Sequence, residues 1–147
     1  MKILMDSAIN ATEVRKNWSS FLDEVIRKRP KIVKRNRDYV LAMSIEHLQD
    51  LVQECRFIAH LEQDSATGHW IATLQGFDLI AYSENKEDAL LQIANELMEY
   101  AHEYINEFEL WHNAPNRKQH FPYLVKVMLQ DNAHQVRNLI QCPAGEN

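Results

Sequence analysis

The sequence contains little glycine and little cysteine. Its 147 residues include three glycines, Gly68, Gly76 and Gly145, and two cysteines, Cys55 and Cys142. A phosphate-binding loop needs several glycines close together so that backbone N–H groups can approach the ligand, and the sequence therefore excludes P-loop and dinucleotide-binding folds. The two cysteines form no CxxC pair and suggest no disulfide framework, which favours a reducing, cytoplasmic setting.

Long apolar runs and paired metal ligands are also missing. No apolar segment approaches the roughly 18 residues that a membrane span needs, and the first ten residues become polar too soon for a signal peptide. The seven histidines form no HExxH motif. Glu99-x-x-His102 has no second copy with which to build a carboxylate-bridged metal site. The sequence therefore predicts no metal, no cofactor and no membrane partner.

Charge is distributed unevenly along a chain whose net charge is −5. Residues 1–38 carry ten Lys or Arg against five Asp or Glu, a net charge of +5, whereas residues 56–147 carry six bases against thirteen acids, a net charge of −7. This asymmetry predicts two modules with two kinds of partner, one anionic and one cationic. Two solvated surfaces of unequal composition are the simpler alternative.

The first module begins with a short apolar run at residues 3–5, where a first strand is expected. Asn10, followed three residues later by Glu13, predicts a capping box that opens a helix, and Pro30 ends that helix. Its apolar residues recur at helical spacing and form one stripe: Val14, Trp18, Phe21, Leu22, Val25 and Ile26. Trp18 is therefore either a core residue of this module or part of a dimer seam.

A hairpin and a second helix complete the first module. Residues 31–42 contain two β-rich runs around a polar turn, and Ser44 caps the helix that follows. The first module thus consists of a strand, a helix, a hairpin and a second helix in about 55 residues. It buries little surface for a unit that folds alone. A dimer would cover what one copy leaves exposed.

Residues 3–54 resemble the N-terminal domain of the Phd/YefM antitoxins. The shared features are an Ala-Thr-Glu-x-Arg-Lys-Asn start of the first helix, a Pro before a strand that ends in a basic residue, and a second strand that ends LAMS before an Ile-Glu-x-Leu helix. The hairpin turn, which usually contains glycine in that family, is RNRDY here. Asn36 and Asp38 tolerate a left-handed backbone better than other residues, so the turn can survive.

The resemblance implies a dimer that binds operator DNA in front of its own gene and the adjacent toxin gene. In that family an arginine at the position of Arg15 contacts DNA, and so does the basic residue that closes the first hairpin strand, here Arg35. Arg15 is expected to contact a base, because arginine reads guanine bidentately. Phosphate contacts are expected from the other candidates: Lys16, Asn17, Lys34, Arg35 and Arg37. The helix N-terminus offers free N–H groups for a phosphate, whereas the basic residues 27–29 complement the helix C-terminal dipole.

Residues 56–147 have a different pattern. The runs RFIAHLEQ and HWIATLQG, joined by DSATG, predict a hairpin, and FDLIAYS predicts a third strand. Asn85 caps a long helix, residues 86–108, with one buried stripe: Leu90, Ile93, Leu97, Ala101, Tyr104 and Phe108. The polar residues 111–120 predict a loop with solvent-exposed histidines, and residues 121–130 and 132–141 predict two short helices.

The order ββ-β-α over residues 57–108 resembles the HicB-like antitoxin domain, a truncated RNase H-like fold. Gly76 stands where that family keeps a glycine before its third strand, although the preceding proline is Gln75 here. The resemblance implies a toxin-binding or oligomerising module without nuclease chemistry. An RNase H-type site would need converging carboxylates for two metals. Asp64, Asp78 and Glu84 are candidates, but acids at such positions are also the usual turn and cap residues, and no catalytic residue is predicted.

The sequence thus predicts an α+β protein with two domains. Residues 1–55 form a β-α-β-β-α DNA-binding and dimerisation domain, and residues 56–147 form a ββ-β-α toxin-binding or oligomerisation domain with two short terminal helices. The expected function is that of a type II antitoxin, a non-enzymatic autorepressor that binds operator DNA and neutralises a small basic toxin, acting on RNA or translation, through its acidic part. A homodimer is expected, and a tetramer if the C-terminal domains also associate.

Two other functions fit the same patterns. One is a DNA-binding transcriptional autoregulator whose C-terminal domain senses or assembles and has no toxin partner. The other is a small nuclease that uses the RNase H-like half. Phd/YefM antitoxins usually neutralise their toxin with a flexible C-terminal tail that folds on binding, whereas strand and helix patterns run through the corresponding stretch here.

Overall fold

The structure is a computed structural model that describes residues 2–143. The chain divides into two compact units, Met1–Leu51 and Val52–Asn147, called the N-terminal unit and the C-terminal unit below. Each unit has its own sheet, of three and four strands respectively, with helices packed beside it. The α+β class predicted from the sequence is confirmed.

The N-terminal unit is built from three short strands and four helices. Its elements are α1 (Lys2–Asp6), β1 (Ile9–Asn10), α2 (Ala11–Lys16), α3 (Trp18–Arg27), β2 (Lys31–Arg35), β3 (Asp38–Ala42) and α4 (Ile45–Leu51). β1 pairs with β2 in parallel, and β2 pairs with β3 in an antiparallel hairpin. Ser44 caps α4 as predicted, because its Oγ accepts a hydrogen bond from the backbone N–H of His47 at 3.2 Å.

The start of the chain differs from the prediction. Residues 3–5, expected to be a strand, lie in helix α1, and the first strand is Ile9–Asn10. The hydrogen bonds of Ser7 explain the difference, since its backbone N–H and its Oγ both donate to the carbonyl of Leu4, at 3.3 and 2.9 Å. These local bonds close a helical turn, and the first strand begins only at Ile9.

The predicted first helix is interrupted at Asn17. The backbone of Asn17 leaves the helical region (φ −122°, ψ 42°), so that α2 ends before it and α3 begins after it. Its side-chain Nδ2 donates to the carbonyl of Glu13 at 3.3 Å. Such side-chain bonds compete with the helical ladder, which is why asparagine interrupts helices more readily than most residues. Asn10 caps α2 as predicted, accepting from the N–H of Thr12 at 2.9 Å.

The hairpin turn between β2 and β3 contains two residues, Asn36 and Arg37. Arg35 and Asp38 form the last pair of the ladder, and Asn36 has a φ of 55°. Asparagine tolerates this left-handed conformation because its short polar side chain can bond locally. The prediction that the turn survives without glycine is confirmed.

The core of the N-terminal unit is small. Val14, Phe21 and Val25 form its buried cluster, and the sheet contributes Val33 and other partly buried side chains. Trp18 stacks on Phe21 with ring centroids 5.9 Å apart but keeps 55% of its surface exposed. The prediction of Trp18 as a core residue is therefore wrong, because only one edge of the α2–α3 stripe faces the sheet.

The C-terminal unit covers one face of a four-stranded sheet with helices. Its elements are β4 (Phe57–Gln63), β5 (Trp70–Leu74), β6 (Ile80–Ser83), α5 (Lys86–Asn106), α6 (Phe108–Asn113), a 3₁₀ turn (Lys118–His120), α7 (Phe121–Met128), α8 (Ala133–Leu139) and β7 (Ile140–Gln141). The strand order is β6-β5-β4-β7. Helix α5 packs on β5 and β6, and α7 and α8 pack on α5. Among residues 2–143, no helix is long and apolar enough to cross a membrane.

Helix α5 confirms the predicted stripe. Asn85 caps it, accepting from the N–H of Asp88 at 2.8 Å. Five of the six stripe residues are almost completely buried: Leu90, Ile93, Leu97, Ala101 and Tyr104. The sixth, Phe108, is partly buried in α6, because the backbone of Glu107 (φ −119°, ψ 44°) ends α5 at Asn106, two residues before the predicted end.

Two predictions for the C-terminal half are wrong. The stretch 111–120 is not a loop throughout, since α6 and the 3₁₀ turn occupy its two ends. The last predicted helix ends at Leu139, and Ile140–Gln141 pairs in parallel with Phe57–Ile58 as a fourth strand. Both errors have one cause. Aromatic packing against α5 orders the first segment, and the open edge of β4 provides backbone partners for the second.

Candidate functional site

The six residues expected to contact DNA are all exposed on the N-terminal unit: Arg15, Lys16, Asn17, Lys34, Arg35 and Arg37. Arg15 and Lys16 lie in the last turn of α2, and Asn17 follows directly. Lys34 and Arg35 end β2, and Arg37 lies in the hairpin turn. We call these six residues the basic surface.

The sheet register places the hairpin turn and the start of α2 at the same end of the sheet, whereas Arg15, Lys16 and Asn17 lie at the end of α2. Asn10, the last residue of β1, lies beside Lys34 in a parallel pair. The chain enters α2 immediately after Asn10, and it enters the hairpin turn two residues after Lys34. Since parallel strands run in the same direction, the start of α2 and the hairpin turn lie at one end of the sheet.

Most of the cations on this surface have no internal partner. Lys16 approaches Glu13 at 3.8 Å, an exposed pair that contributes little. The Nζ of Lys34 lies 5.8 Å from the ring centroid of Tyr39. Within residues 2–143, the side chains of Arg15, Arg35 and Arg37 make no hydrogen bond or ion pair that would hold them in place. They are free to bind an external anion.

The helix start is a weaker anion site than the sequence suggested. Helix α2 has only six residues, and the side chain of Asn10 already occupies the N–H of Thr12. The short helix has a small dipole and one fewer free donor. The exposed arginines are therefore better placed than the helix terminus to meet an external anion.

Four neighbouring cations, Lys31 and the basic residues 27–29, have structural roles. Lys31 is buried and forms an ion pair with Glu24, which the sequence did not reveal because Lys31 continues a basic run. The hydrogen bond and charge of Lys31 hold the pKa of Glu24 below its usual range. Helix α3 ends in the basic residues 27–29, where the N–H groups of Lys28 and Arg29 bond the carbonyl of Glu24. This position fits their predicted role at a helix end.

The carboxylates of the C-terminal unit form no metal-binding cluster. Asp64 accepts hydrogen bonds from the N–H of Ala66 at 2.9 Å and from the hydroxyl of Tyr82 at 3.0 Å, and these bonds lower its pKa. Asp78 lies 3.9 Å from the guanidinium of Arg117. In the described part of the chain, no three His, Cys, Asp or Glu side chains are placed to hold a metal ion.

His120 is buried, contrary to the prediction of an exposed loop histidine. Its Nε2 donates to the carbonyl of Gly76 at 2.8 Å, and its Nδ1 bonds the hydroxyl of Tyr100 at 2.7 Å. The ring stacks on Phe77 with centroids 4.3 Å apart. Burial lowers the pKa of His120, so the neutral imidazole is favoured. His112 is likewise engaged, since its Nδ1 lies 3.1 Å from the hydroxyl of Tyr104.

A cleft of about 400 Å³ lies beside α5 and α6. Carboxylates form its rim and aromatic rings its floor, and we call it the acidic groove: Asp78, Glu96, Glu99, Glu103, Tyr100 and Trp111. The sequence did not predict this cleft, because Trp111 belongs to the stretch 111–120 that was expected to be a loop. Burial, followed by the charge of Glu99, raises the pKa of Glu96.

Comparison with known proteins gives two matches. Residues 5–142 match a protein family described as "PHD_like: Antitoxin of toxin-antitoxin, RelE / RelB, TA system". The fold is similar to a crystal structure described as an antitoxin part of a candidate toxin/antitoxin system from Syntrophomonas wolfei subsp. wolfei, with a TM-score of 0.87 and 42% sequence identity, over 92% of this chain and 97% of that one. Among curated protein sequences, none is significantly similar to this chain.

Proposed function

We propose, from the premise that this chain belongs to the PHD-like family of antitoxins of toxin–antitoxin systems, that it represses its own operator as a dimer and neutralises a small basic toxin. The observation that supports the DNA-binding part is the basic surface, in which three exposed arginines of α2 and of the β2–β3 hairpin have no partner among residues 2–143. Operator DNA is the anion that suits such a surface.

The roles of the six residues follow from their chemistry. Arg15 contacts a base, since arginine forms two parallel hydrogen bonds with guanine in the major groove. Lys16, Asn17, Lys34, Arg35 and Arg37 contact phosphates, which positions the protein without reading the sequence. Autorepression follows if the operator lies in front of the genes for antitoxin and toxin.

Exposed apolar side chains support the dimer. The N-terminal unit leaves large hydrophobic residues more than 40% exposed on helices and strands: Ile3, Leu4, Met5, Trp18, Ile26, Val40, Leu41, Ile45 and Leu51. A monomeric domain seldom leaves so much apolar surface uncovered. A second copy would cover part of it and would also present a second basic surface to the next half-site of the operator.

The C-terminal unit supplies the toxin-binding part of the proposal. Residues 56–147 carry a net charge of −7, which would attract a basic protein and keep it from nucleic acid. We also propose that residues 3–54 form a domain similar to the Phd/YefM domain and that residues 57–108 form one similar to the HicB-like domain. Neutralisation would then use a folded surface, because residues 52–143 are packed into a compact unit and are not a free tail.

A binding titration tests the repressor role. The purified full-length protein is titrated with its own upstream DNA and with a scrambled duplex at two salt concentrations. Binding should prefer the upstream DNA, and each phosphate contact should contribute about −0.9 to the slope of log K against log salt. Arg15→Ala should lose the preference at a cost of about 1–3 kcal/mol, whereas Arg35→Ala should weaken binding to both duplexes and flatten the slope by about 1.

Arg27→Ala is the matched control, because Arg27 is an equally exposed arginine at the end of α3 and outside the basic surface. Equal binding to both duplexes, or equal losses for Arg27→Ala and Arg15→Ala, would reject the assigned DNA surface. The toxin role is tested separately by co-expression with the product of the adjacent gene. Rescue of growth and a stable complex are expected, and growth arrest that the antitoxin does not relieve would leave only the autoregulator function.

A further inference from the structure

Strand β6 forms one edge of the C-terminal sheet. The strand order is β6-β5-β4-β7, and within residues 2–143 β6 pairs only with β5. The N–H of Leu74 donates to the carbonyl of Leu79 at 3.1 Å, which makes these residues a hydrogen-bonded pair of the antiparallel ladder. Such pairs alternate with pairs that do not bond each other. The backbone N–H and C=O groups of Ile80 and Tyr82 therefore point away from β5, toward the open edge.

The side chains at this edge are apolar and exposed. Ile80 and Tyr82 keep 62% and 50% of their surface exposed, whereas Ala81 between them is buried. Because side chains alternate along a strand, Ile80 and Tyr82 lie on the face of the sheet opposite the core. Edge strands are commonly protected by lysine or proline, since an apolar edge pairs readily with another chain. Strand β6 contains neither residue, and its edge is therefore suited to pairing with a further strand.

The charges around β6 favour a basic partner. Asp78 lies two residues before the strand and Glu84 directly follows it, and both are exposed. Asp64 accepts a hydrogen bond from the hydroxyl of Tyr82 at 3.0 Å, which places a third carboxylate beside the strand. The guanidinium of Arg117 lies 3.9 Å from Asp78, and this exposed pair offsets little of the negative charge. A basic strand would be attracted to this edge, and nucleic acid would be repelled from it.

A second copy of β6 fits the edge less well. An antiparallel pairing of two copies would join Ile80 of each copy to Tyr82 of the other. The end of one strand that follows Asp78 would then lie beside the end of the second copy that precedes Glu84, and the same would occur at the other end of the pair. Like charges across a ladder are destabilising. A strand with basic ends meets no such repulsion.

We propose that the edge of β6 is the docking site for an extended strand of a basic protein partner, which in the function proposed above is the toxin. The backbone of that strand bonds the outward groups of Ile80 and Tyr82, and its apolar side chains pack on theirs. Lysine or arginine at its ends meets the carboxylates around β6. The inference rests on the proposed function for the identity of the partner, and it specifies where on the acidic unit that partner binds.

The first test makes the same substitution at two similarly exposed positions. Ile80→Lys places a cation at the edge of β6, and Leu110→Lys places one on α6, where Leu110 is 65% exposed. The product of the adjacent gene is titrated against each full-length variant by calorimetry. Ile80→Lys should bind at least about tenfold more weakly than the wild type, and Leu110→Lys should lose less than about threefold.

A second pair of variants separates backbone pairing from side-chain contact. Ile80→Pro removes an N–H that points away from β5, whereas Ile80→Thr keeps this N–H and the β-branched shape. Neither substitution removes a hydrogen bond of the β5–β6 ladder, and urea unfolding checks that both variants are folded. The proline variant should bind the adjacent gene product about fivefold more weakly than the threonine variant. Equal binding by two folded variants would refute strand pairing.

A third measurement needs no toxin. The acetylated peptide amide Lys-Thr-Val-Thr-Val-Thr-Lys is added to the full-length protein, and the backbone amide signals are followed by nuclear magnetic resonance. The control is the same peptide with glutamate at both ends. The amide signals of Ile80 and Tyr82 should shift saturably with the lysine-ended peptide and stay in place with the glutamate-ended one.

The outcomes separate the two proposals. If the adjacent gene product does not bind the wild type, the toxin-binding function fails, and the peptide titration still decides whether the edge of β6 binds a basic strand. If that product binds Ile80→Lys as tightly as Leu110→Lys, the docking site lies elsewhere although the antitoxin function stands. Equal shifts with both peptides would overturn the inference. So would a wild-type assembly that Ile80→Lys alone dissociates in sedimentation equilibrium, because a second copy would then cover the edge.

Discussion

In the N-terminal unit three apolar side chains form the buried cluster, whereas seventeen do so in the C-terminal unit. The exposed residues show the opposite distribution. Among residues 2–143, fourteen large hydrophobic side chains remain exposed, and nine of them lie in the N-terminal unit, which has about a third of the chain. Burial of apolar area is the dominant favourable term in folding. The C-terminal unit therefore has the larger core of its own, and the dimer proposed above would cover apolar side chains that the N-terminal unit leaves exposed.

The largest expected effect concerns the core of the C-terminal unit. Leu97 is fully buried on α5, and Leu97→Ala should lower the free energy of unfolding by about 2–5 kcal/mol because it leaves a cavity. Urea unfolding of the full-length protein measures the change. Leu110→Ala, at a leucine that is 65% exposed, should cost less than about 0.5 kcal/mol. Equal losses for the two variants would show that the packing of α5 does not determine stability.

The next effect concerns association of the N-terminal unit. Trp18 is the largest exposed apolar side chain of α3, and Trp18→Ala should weaken a dimer by about 2 kcal/mol, roughly thirtyfold in the dissociation constant, as a buried interface tryptophan does. Sedimentation equilibrium measures this constant, with Leu110→Ala as the control in the other unit. An unchanged dimer would place the interface on other apolar residues, and a monomeric wild type would refute the comparison.

A smaller effect is expected at the hairpin turn. Asn36 has a φ of 55°, and Asn36→Ala should destabilise the hairpin by about 1 kcal/mol because a Cβ without a polar side chain disfavours this backbone. Asn36→Gly should change stability by only a few tenths of a kcal/mol. Hydrogen exchange of the β2–β3 amides measures the local stability. Faster exchange in Asn36→Gly than in Asn36→Ala would contradict the turn geometry.

The smallest effect is a change in pH dependence. The pKa of His120 is lowered in the folded state, from an ordinary value of 6.5, mainly by burial. The unfolded chain therefore binds more protons than the folded chain between the two values, so stability is present above pH 6.5 and is lost as the pH falls through 6.5 toward the folded pKa. His120→Gln should flatten the slope of unfolding free energy against pH in this window. The Nε2 of the introduced glutamine can still donate to the carbonyl of Gly76. An unchanged slope would therefore show that other groups are responsible for the pH dependence.

Local patterns in the sequence predicted much of the fold. The caps at Asn10, Ser44 and Asn85 and the buried stripe of α5 were predicted because each depends on residues only a few positions apart. The interruption at Asn17 and the helical start at residues 3–5 were missed, since helix and strand patterns do not differ over such short segments.

The candidate sites differ in how far the sequence could reveal them. The basic surface was predicted residue by residue, because its cations are clustered in sequence and resemble a known motif, although its DNA contacts stay a prediction. The acidic groove was not predicted. Most of its carboxylates lie on α5, and its lining includes Trp111, which belongs to a stretch that was expected to be a polar loop. The sequence of residues 96–103 alone does not indicate that their carboxylates line a cleft together with Trp111.

The sequence by itself determined the division of charge between the two halves and the main helices and hairpins, because these are properties of composition and short-range spacing. The candidate DNA contacts were assigned through the resemblance to a known family. Tertiary structure alone decided that Trp18 is exposed, that His120 is buried between Gly76 and Tyr100, and that Ile140–Gln141 becomes a strand beside Phe57–Ile58. The partners of His120 and of Ile140–Gln141 lie 20 or more residues away in the chain. The positions of these residues depend on which apolar faces become buried against one another, and this is decided only when the whole chain packs.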